Sequence, residues 1–322
     1  MKNIYSIICI LIICSCNPKK EIENNSKEAI NSTLKATSII LLGTIQDAGS
    51  PHIACKKNCC KDLFINPDKN RKVISLGLFN KETRKKYLFE ATPDISSQLK
   101  SLKNYGVDSQ QEMPDGIFLT HAHIGHYAGL MYLGKEATDA KEVMVYAMPK
   151  MKVFLETNGP WDQLVTRKNI VLSPIKNEET ISLSENLEVT PVIVPHRDEY
   201  SETVGYTIKG PNKSALFIPD IDKWEKWDKD IVEEIKKVDY AFLDATFYSG
   251  EELNNRDISQ IPHPFIIESI KKFEHLDQKE KEKIIFIHFN HTNPIINPNS
   301  TESKTVINKG FRIGQLHDTF EL

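Results

Sequence analysis

At 322 residues, with 40% hydrophobic and 26% charged residues, the chain has the composition of a globular protein and is long enough for one large domain or two small ones. Its net charge of −3, with lysines scattered among glutamates, provides no basic face and speaks against nucleic acid as an obligate partner.

The chain opens on "MKNIYSIICILIICSC", a basic start followed by an apolar run too short to span a bilayer comfortably and ending in small or thiol residues. Residues 1–16 therefore read as a signal peptide. Within them "IICSC" resembles a bacterial lipobox, with Ile13 three positions before Cys16 and Ser15 directly before it. That resemblance implies that Cys16 is lipidated and becomes the mature N-terminus. The protein is then an exported lipoprotein on the periplasmic or cell-surface face of a bacterial membrane, and Asn17 is compatible with the outer membrane. Residues 17–36 are polar, lack periodic apolar positions and fit a flexible tether, so the folded domain is expected over residues 37–322.

From Thr37 onward short strand-like runs alternate with helical ones. "SIILLGTI", "KVISLGLF", "KYLFEA" and "DGIFLTH" read as strands, and "DISSQLKSLKNYG" as a helix. In the second half "EVMVYAMP", "LEVTPVIVPH", "TVGYTIKG", "SALFIPD", "DYAFLDATF" and "KIIFIHF" read as strands, "KDIVEEIKKV" and "PFIIESIKKFEHL" as helices. Runs of strands, then helix, then strands again imply an α/β sandwich rather than a purely parallel wound sheet. No internal linker and no repeat of solenoid period interrupts residues 37–322.

Cysteine usage is uneven. Cys9, Cys14 and Cys16 belong to the leader, which leaves Cys55, Cys59 and Cys60 in "CKKNCC". Three thiols in one loop make a poor disulfide framework, so metal binding is the better reading, and it requires a fourth ligand from elsewhere.

Candidate metal ligands stand at the C-terminal ends of strand-like runs, where an α/β fold gathers distant residues into one cleft. His121, His123 and His126 follow "GIFLT", His196 ends "VTPVIVPH", Asp220 ends "SALFIPD" and His288 ends "KIIFIH". Imidazoles with one carboxylate at long, irregular spacing suit zinc or another borderline divalent ion, with Mn2+ or Fe2+ as alternatives.

In that order "THAHIGH", "VPH", "IPD" and "IHFNHTNP" resemble the metallo-β-lactamase superfamily over the whole domain. The resemblance implies a four-layer αββα sandwich and hydrolysis by a metal-bound hydroxide. It assigns His121, His123 and His196 to a first metal, Asp220 to a bridge that orients the water, and His126 and His288 to a second metal. Gly125 departs from the pattern, which has a ligating Asp there, so the second site is expected to be weak, empty, or completed by water or a carboxylate such as Asp222.

Two groups within the superfamily are closer. "LDATFYSGEE", "RDISQIPHP" and "IHFNHTNPIINPNS" resemble the coenzyme PQQ synthesis protein B group, although that group lacks the pair retained here at His121 and His123. The phosphonate-pathway cyclic phosphodiesterases have a cysteine-rich loop and a later histidine that bind structural zinc, which here implies Cys55, Cys59, Cys60 and His291. By the same likeness His263 is a general acid or phosphate contact, with helix capping as its alternative, and Asp244 an acceptor holding a ligand or His263 in one tautomer. The implied function is a zinc-dependent hydrolase of small anionic phosphodiesters or other esters. An oxidative or accessory factor like the PQQ group and a non-catalytic binding protein of the same fold are the competing classes. Arg197 is a candidate substrate contact or salt-bridge partner, and Trp161 lines a pocket or anchors a helix.

Overall fold

Ile39 and Leu41 pack between two sheets while Ile40 and Leu42 pack under helices, and all four are buried, so the first strand lies inside the protein with both faces covered. The computed structural model describes Leu34 and residues 36–105, 111–197, 199–253 and 261–322. The leader, Cys16 and nearly all of the expected tether lie outside the described residues. Among the described residues no helix is long and apolar enough to cross a membrane.

The strands in chain order are β1 (Ser38–Gly43), β2 (Ser75–Phe79), β3 (Lys86–Phe89), β4 (Gly116–Phe118), β5 (Val143–Ala147), β6 (Ile170–Pro174), β7 (Ile181–Ser184), β8 (Leu187–Ile193), β9 (Val204–Lys209), β10 (Ser214–Ile218), β11 (Tyr240–Asp244), β12 (Ile284–Ile287), β13 (Arg312–Ile313) and β14 (Thr319–Glu321). One sheet runs β14-β1-β2-β3-β4-β5-β6, the other β13-β12-β11-β10-β9-β8-β7. Each begins antiparallel and ends in parallel pairs, β3 to β6 in the first and β10 to β13 in the second. The two halves of the chain thus share a strand plan that their sequences do not display.

Three apolar layers hold the four structural layers together. Leu78, Phe89, Phe118, Tyr206, Phe217 and Ile287 fill the space between the sheets. Leu99 and Leu102 of helix Ile95–Tyr105 cover the outer face of the first sheet, and Ile235, Ile266 and Ile270 cover the second. Each fully buried side chain of this size stabilises the fold by about 1.5–3 kcal/mol. The arrangement is the αββα sandwich that the metallo-β-lactamase resemblance implies.

Strand and helix positions agree with the sequence reading, with shorter bounds. The run "DGIFLTH" ends as a strand at Phe118, because the chain turns there to present the histidines from a loop. Helix Trp161–Thr166 agrees with the reading of Trp161 as a helix anchor, whereas helices Pro149–Thr157 and Thr301–Asn308, and strands β6, β7, β13 and β14, have no counterpart in the sequence reading. Trp161 starts its helix and packs on Tyr127 and Phe154, with ring centroids 5.0 and 5.7 Å away. Arg197 is exposed and pairs with none of the described residues.

Candidate metal centre

The loop after β4 is fastened to the opposite sheet before it delivers any side chain. The Tyr206 hydroxyl donates to Leu119 O at 2.5 Å, Val204 N donates to Thr120 O at 3.2 Å, and Ala122 N donates to Ser201 Oγ at 2.8 Å. Beneath it Phe118 stacks between Phe89 and Tyr146, at 4.8 and 4.3 Å. His121 and His123 leave this platform with Nε2 and Nδ1 only 2.8 Å apart.

His196 joins them from the end of β8, and Asp220 from the end of β10. Asp220 Oδ2 lies 3.3 Å from His121 Nε2, 3.8 Å from His123 Nδ1 and 3.1 Å from His196 Nε2. Two nitrogen or oxygen ligands about 2.1 Å from a tetrahedral ion stand about 3.4 Å apart, so the spacing matches one ion's ligand set. Of the atoms that face this cluster, the buried His196 Nε2 has no hydrogen-bond partner. A buried nitrogen turned toward these donors without a partner is what a bound cation would satisfy. The donor set therefore fits a divalent metal. Burial holds His121 well below the usual imidazole range, leaving a lone pair available at neutral pH.

A second cluster adjoins the first. His126, His288, Asp220 and Asp47 bring one donor atom each within 4.8 Å of one another. Asp47 Oδ1 is 2.9 Å from His126 Nε2 and 3.2 Å from His288 Nε2, while Asp220 Oδ2 is 3.9 Å from His126 Nε2. That single oxygen of Asp220 thus faces both clusters. Burial opposes charge on His126, but Asp47 and Glu90 outweigh it and hold the ring well above its ordinary value.

The expectation that Asp222 would complete this second group fails. Its Oδ1 lies 3.3 Å from His196 Nδ1 and its Oδ2 accepts from Lys226 at 2.8 Å, so it backs His196 on the first side. Sequence reasoning also missed three supports. Glu90, fully buried at φ 72°, puts Oε2 3.3 Å from His126 Nδ1. The Thr120 hydroxyl is 2.8 Å from His121 Nδ1, and that of Thr246 is 2.8 Å from His288 Nδ1. Each fixes one ring nitrogen so that the other faces the cluster. His288 itself sits at φ 66°, and two non-glycine residues in the left-handed region at one site is strain of the kind that gathers where function demands it.

His263 stands beside Asp220. Its Nδ1 donates to Asp244 Oδ2 at 2.9 Å and lies 3.2 Å from Asp220 Oδ1. Burial opposes its charge, yet Asp244 and Asp220 push it up to about 10. Asp244 is held in turn by Ile221 N, Thr246 N and the Thr246 hydroxyl. Capping is not the role of His263, because the cap of helix Ile266–Lys272 is Phe265, whose N–H donates to Glu268.

The third cluster is remote in character. Cys55 Sγ is 3.7 Å from Cys59 Sγ, which is 4.0 Å from Cys60 Sγ, and His291 completes the group. Disulfide sulfurs would be about 2.05 Å apart, whereas thiolates about 2.3 Å from a tetrahedral zinc stand about 3.8 Å apart. Backbone N–H groups of His52 and Lys57 donate to Cys60 and Cys55, as thiolates require. Burial, His52 and Lys57 pull His291 down to about 4, so its ring is neutral at physiological pH.

Comparison with known proteins agrees with this geometry. The family profile described as the beta-lactamase superfamily domain matches residues 85–289, from β3 through the residue after His288. The chain belongs to the metallo-β-lactamase superfamily. Coenzyme PQQ synthesis protein B of Methylorubrum extorquens (strain PA1) is 23% identical over 88% of this chain and 99% of its own length. That of Acinetobacter baylyi is 24% identical over 83% and 94%. Among solved metallo-β-lactamase folds, zinc-bound PqqB from Methylobacterium extorquens superposes with a TM-score of 0.73 at 21% identity, covering 88% of this chain and all of that one. A diphosphatase of the PhnP family superposes at 0.63 and 21%, covering 89% and 97%. These identities establish a shared fold. Together with the buried histidine and aspartate cluster they support a divalent-metal protein.

Proposed function

We propose that the protein is a zinc-dependent hydrolase acting on phosphodiesters or related small esters. One observation carries the reading: His263 is clamped between Asp244 and Asp220 at the edge of the His121, His123, His196 and Asp220 donor set. A divalent ion held there would act as a Lewis acid on the substrate oxygen and lower the pKa of water. Asp220, one carboxylate facing both clusters, orients the attacking water. His263, charged and one-tenth exposed, delivers a proton to the departing alkoxide, and Asp244 keeps its Nδ1 engaged so that Nε2 is the atom that acts. The likeness to a PhnP-family diphosphatase supports phosphate chemistry. The further likeness to PQQ synthesis protein B, over nearly the full length of both chains, supports a second reading, an oxidative or accessory factor.

The test is turnover of chromogenic phosphodiesters and esters by the full chain loaded with zinc or with iron, beside His121→Ala. Zinc-dependent phosphodiester cleavage, lost in the variant, is expected. Metal bound at the histidine cluster with no cleavage of any ester would overturn the hydrolase reading, and iron-dependent oxidation would favour the alternative. We also propose that the protein is exported and anchored through lipid on Cys16. Cys16→Ser is expected to release it from membranes, and continued attachment would refute this.

A further inference from the structure

The second cluster holds a carboxylate that the histidine motif does not supply. Asp47 lies in "GTIQDAGSPH", 79 residues before His126, on the loop that follows β1. Backbone pairing holds this loop in place. Phe289 N donates to Thr44 O at 2.7 Å and Gln46 N to Phe289 O at 2.9 Å, which zips the loop to the residue after His288. A turn closed by Gly49 N donating to Gln46 O, with Gly49 at φ 75°, then aims Asp47 inward.

Gly125 stands across from it. A Cβ built on Gly125 would lie 2.3 Å from Asp47 Cα, 2.6 Å from its Cβ and 2.8 Å from its Cγ. No side chain fits there, and the obstruction is the aspartate itself. We propose that Asp47 is the carboxylate ligand of a second divalent ion, held with His126, His288 and Asp220, and that Gly125 leaves the room that Asp47, backbone and side chain, occupies. The ligand has moved from the histidine motif to another loop, and the second site keeps a full set of donors. This reverses the expectation drawn from Gly125 alone, that the second site lacks a ligand. It rests on reading the histidine and aspartate cluster as a metal centre, and its test separates the two.

The experiment is metal analysis and cobalt titration of the full chain, wild type beside Asp47→Ala, Asp47→Asn and Gly125→Asp. Thiolate charge-transfer bands count the cysteine site separately from the others. Wild type is expected to hold two ions in the histidine cluster. Asp47→Ala should lose one of them, with second-site affinity down at least roughly tenfold, and Asp47→Asn should lose it while the metal-free variant melts where metal-free wild type does. Gly125→Asp should also lose it, because its Cβ would lie 2.3 Å from Asp47 Cα and displace the loop that carries Asp47. Two ions retained in Asp47→Ala, or only one in wild type, would each overturn the proposal. A wild type with no ion in the cluster would instead strike the metal-centre reading beneath it.

Discussion

The cysteine cluster and the histidine cluster are built from loops that they share, yet they are arranged for different ends. Asp47 precedes Cys55 by eight residues and His288 precedes His291 by three, so each of two loops serves both clusters. The cysteine group has four donors and no carboxylate, and it lies near the surface with Cys55 and Cys59 half-buried. A closed set of that kind leaves no position for substrate. The histidine group is buried, has an oxygen of Asp220 common to two sets of rings, and has His263 beside it. By this contrast the cysteine cluster has the make-up of a group that shapes the loops, and the histidine cluster that of a group that uses them.

Breaking the histidine side should produce the largest effect. His121→Ala is expected to lower phosphodiester turnover by about 10³-fold or more, with the cobalt-thiolate spectrum of the cysteine site intact. An equal loss of both sites would erase the distinction.

Next comes His263→Asn, expected to cost about 10²-fold with substrates whose leaving group is a poor alkoxide and little with nitrophenyl esters. Equal loss across leaving groups would show that His263 positions substrate rather than donating a proton.

On the other side, Cys59→Ser is expected to lower the melting temperature by on the order of 10 °C and to remove the thiolate-bound ion. Because the loop continues into Asp47, the second histidine-cluster ion should also bind more weakly, while the first is unaffected. Unchanged stability and full metal content would sink the assignment of a structural role.

The smallest effect concerns Glu252, which clasps the cysteine loop. Lys57 donates to its backbone oxygen at 3.2 Å, and burial pushes its carboxyl up to about 7 from an ordinary 4.5. A raised carboxyl contributes stability that is fully present below pH 4.5 and lost as pH rises through about 7. Glu252→Gln should therefore melt like wild type at pH 4.5 and a few degrees higher at pH 8, by scanning calorimetry. A pH-independent difference would place the raised carboxyl elsewhere.

Much of this protein is legible before folding. An α/β sandwich follows from apolar runs such as "SIILLG" and "KIIFI" alternating with helical segments, and its four-layer αββα order follows from the metallo-β-lactamase resemblance. His121, His123, His126, Asp220 and His288 are legible because parallel strands end at one edge of their sheet and polar residues there converge, and His196 reaches the same edge from the end of antiparallel β8. Cys55, Cys59 and Cys60 are legible because an odd, crowded set of thiols has few other uses. The edge strands β13 and β14 were not legible, since two or three residues carry no period, and their pairing depends on neighbours far along the chain.

Only the tertiary structure decided how the second cluster is completed. From the sequence Gly125 is a missing ligand, because a motif records which side chains are adjacent along the chain and not which loops meet across a cleft. Asp47 and Glu90 reach His126 from separate strands' ends, and no local pattern distinguishes them from turn residues. The backbone zipper between Thr44, Gln46 and Phe289 sets that meeting, and it forms only once β1 and β12 occupy their own sheets and those sheets pack face to face. Local chemistry thus determined the donors on the strands, while packing determined the donor brought in from outside the motif.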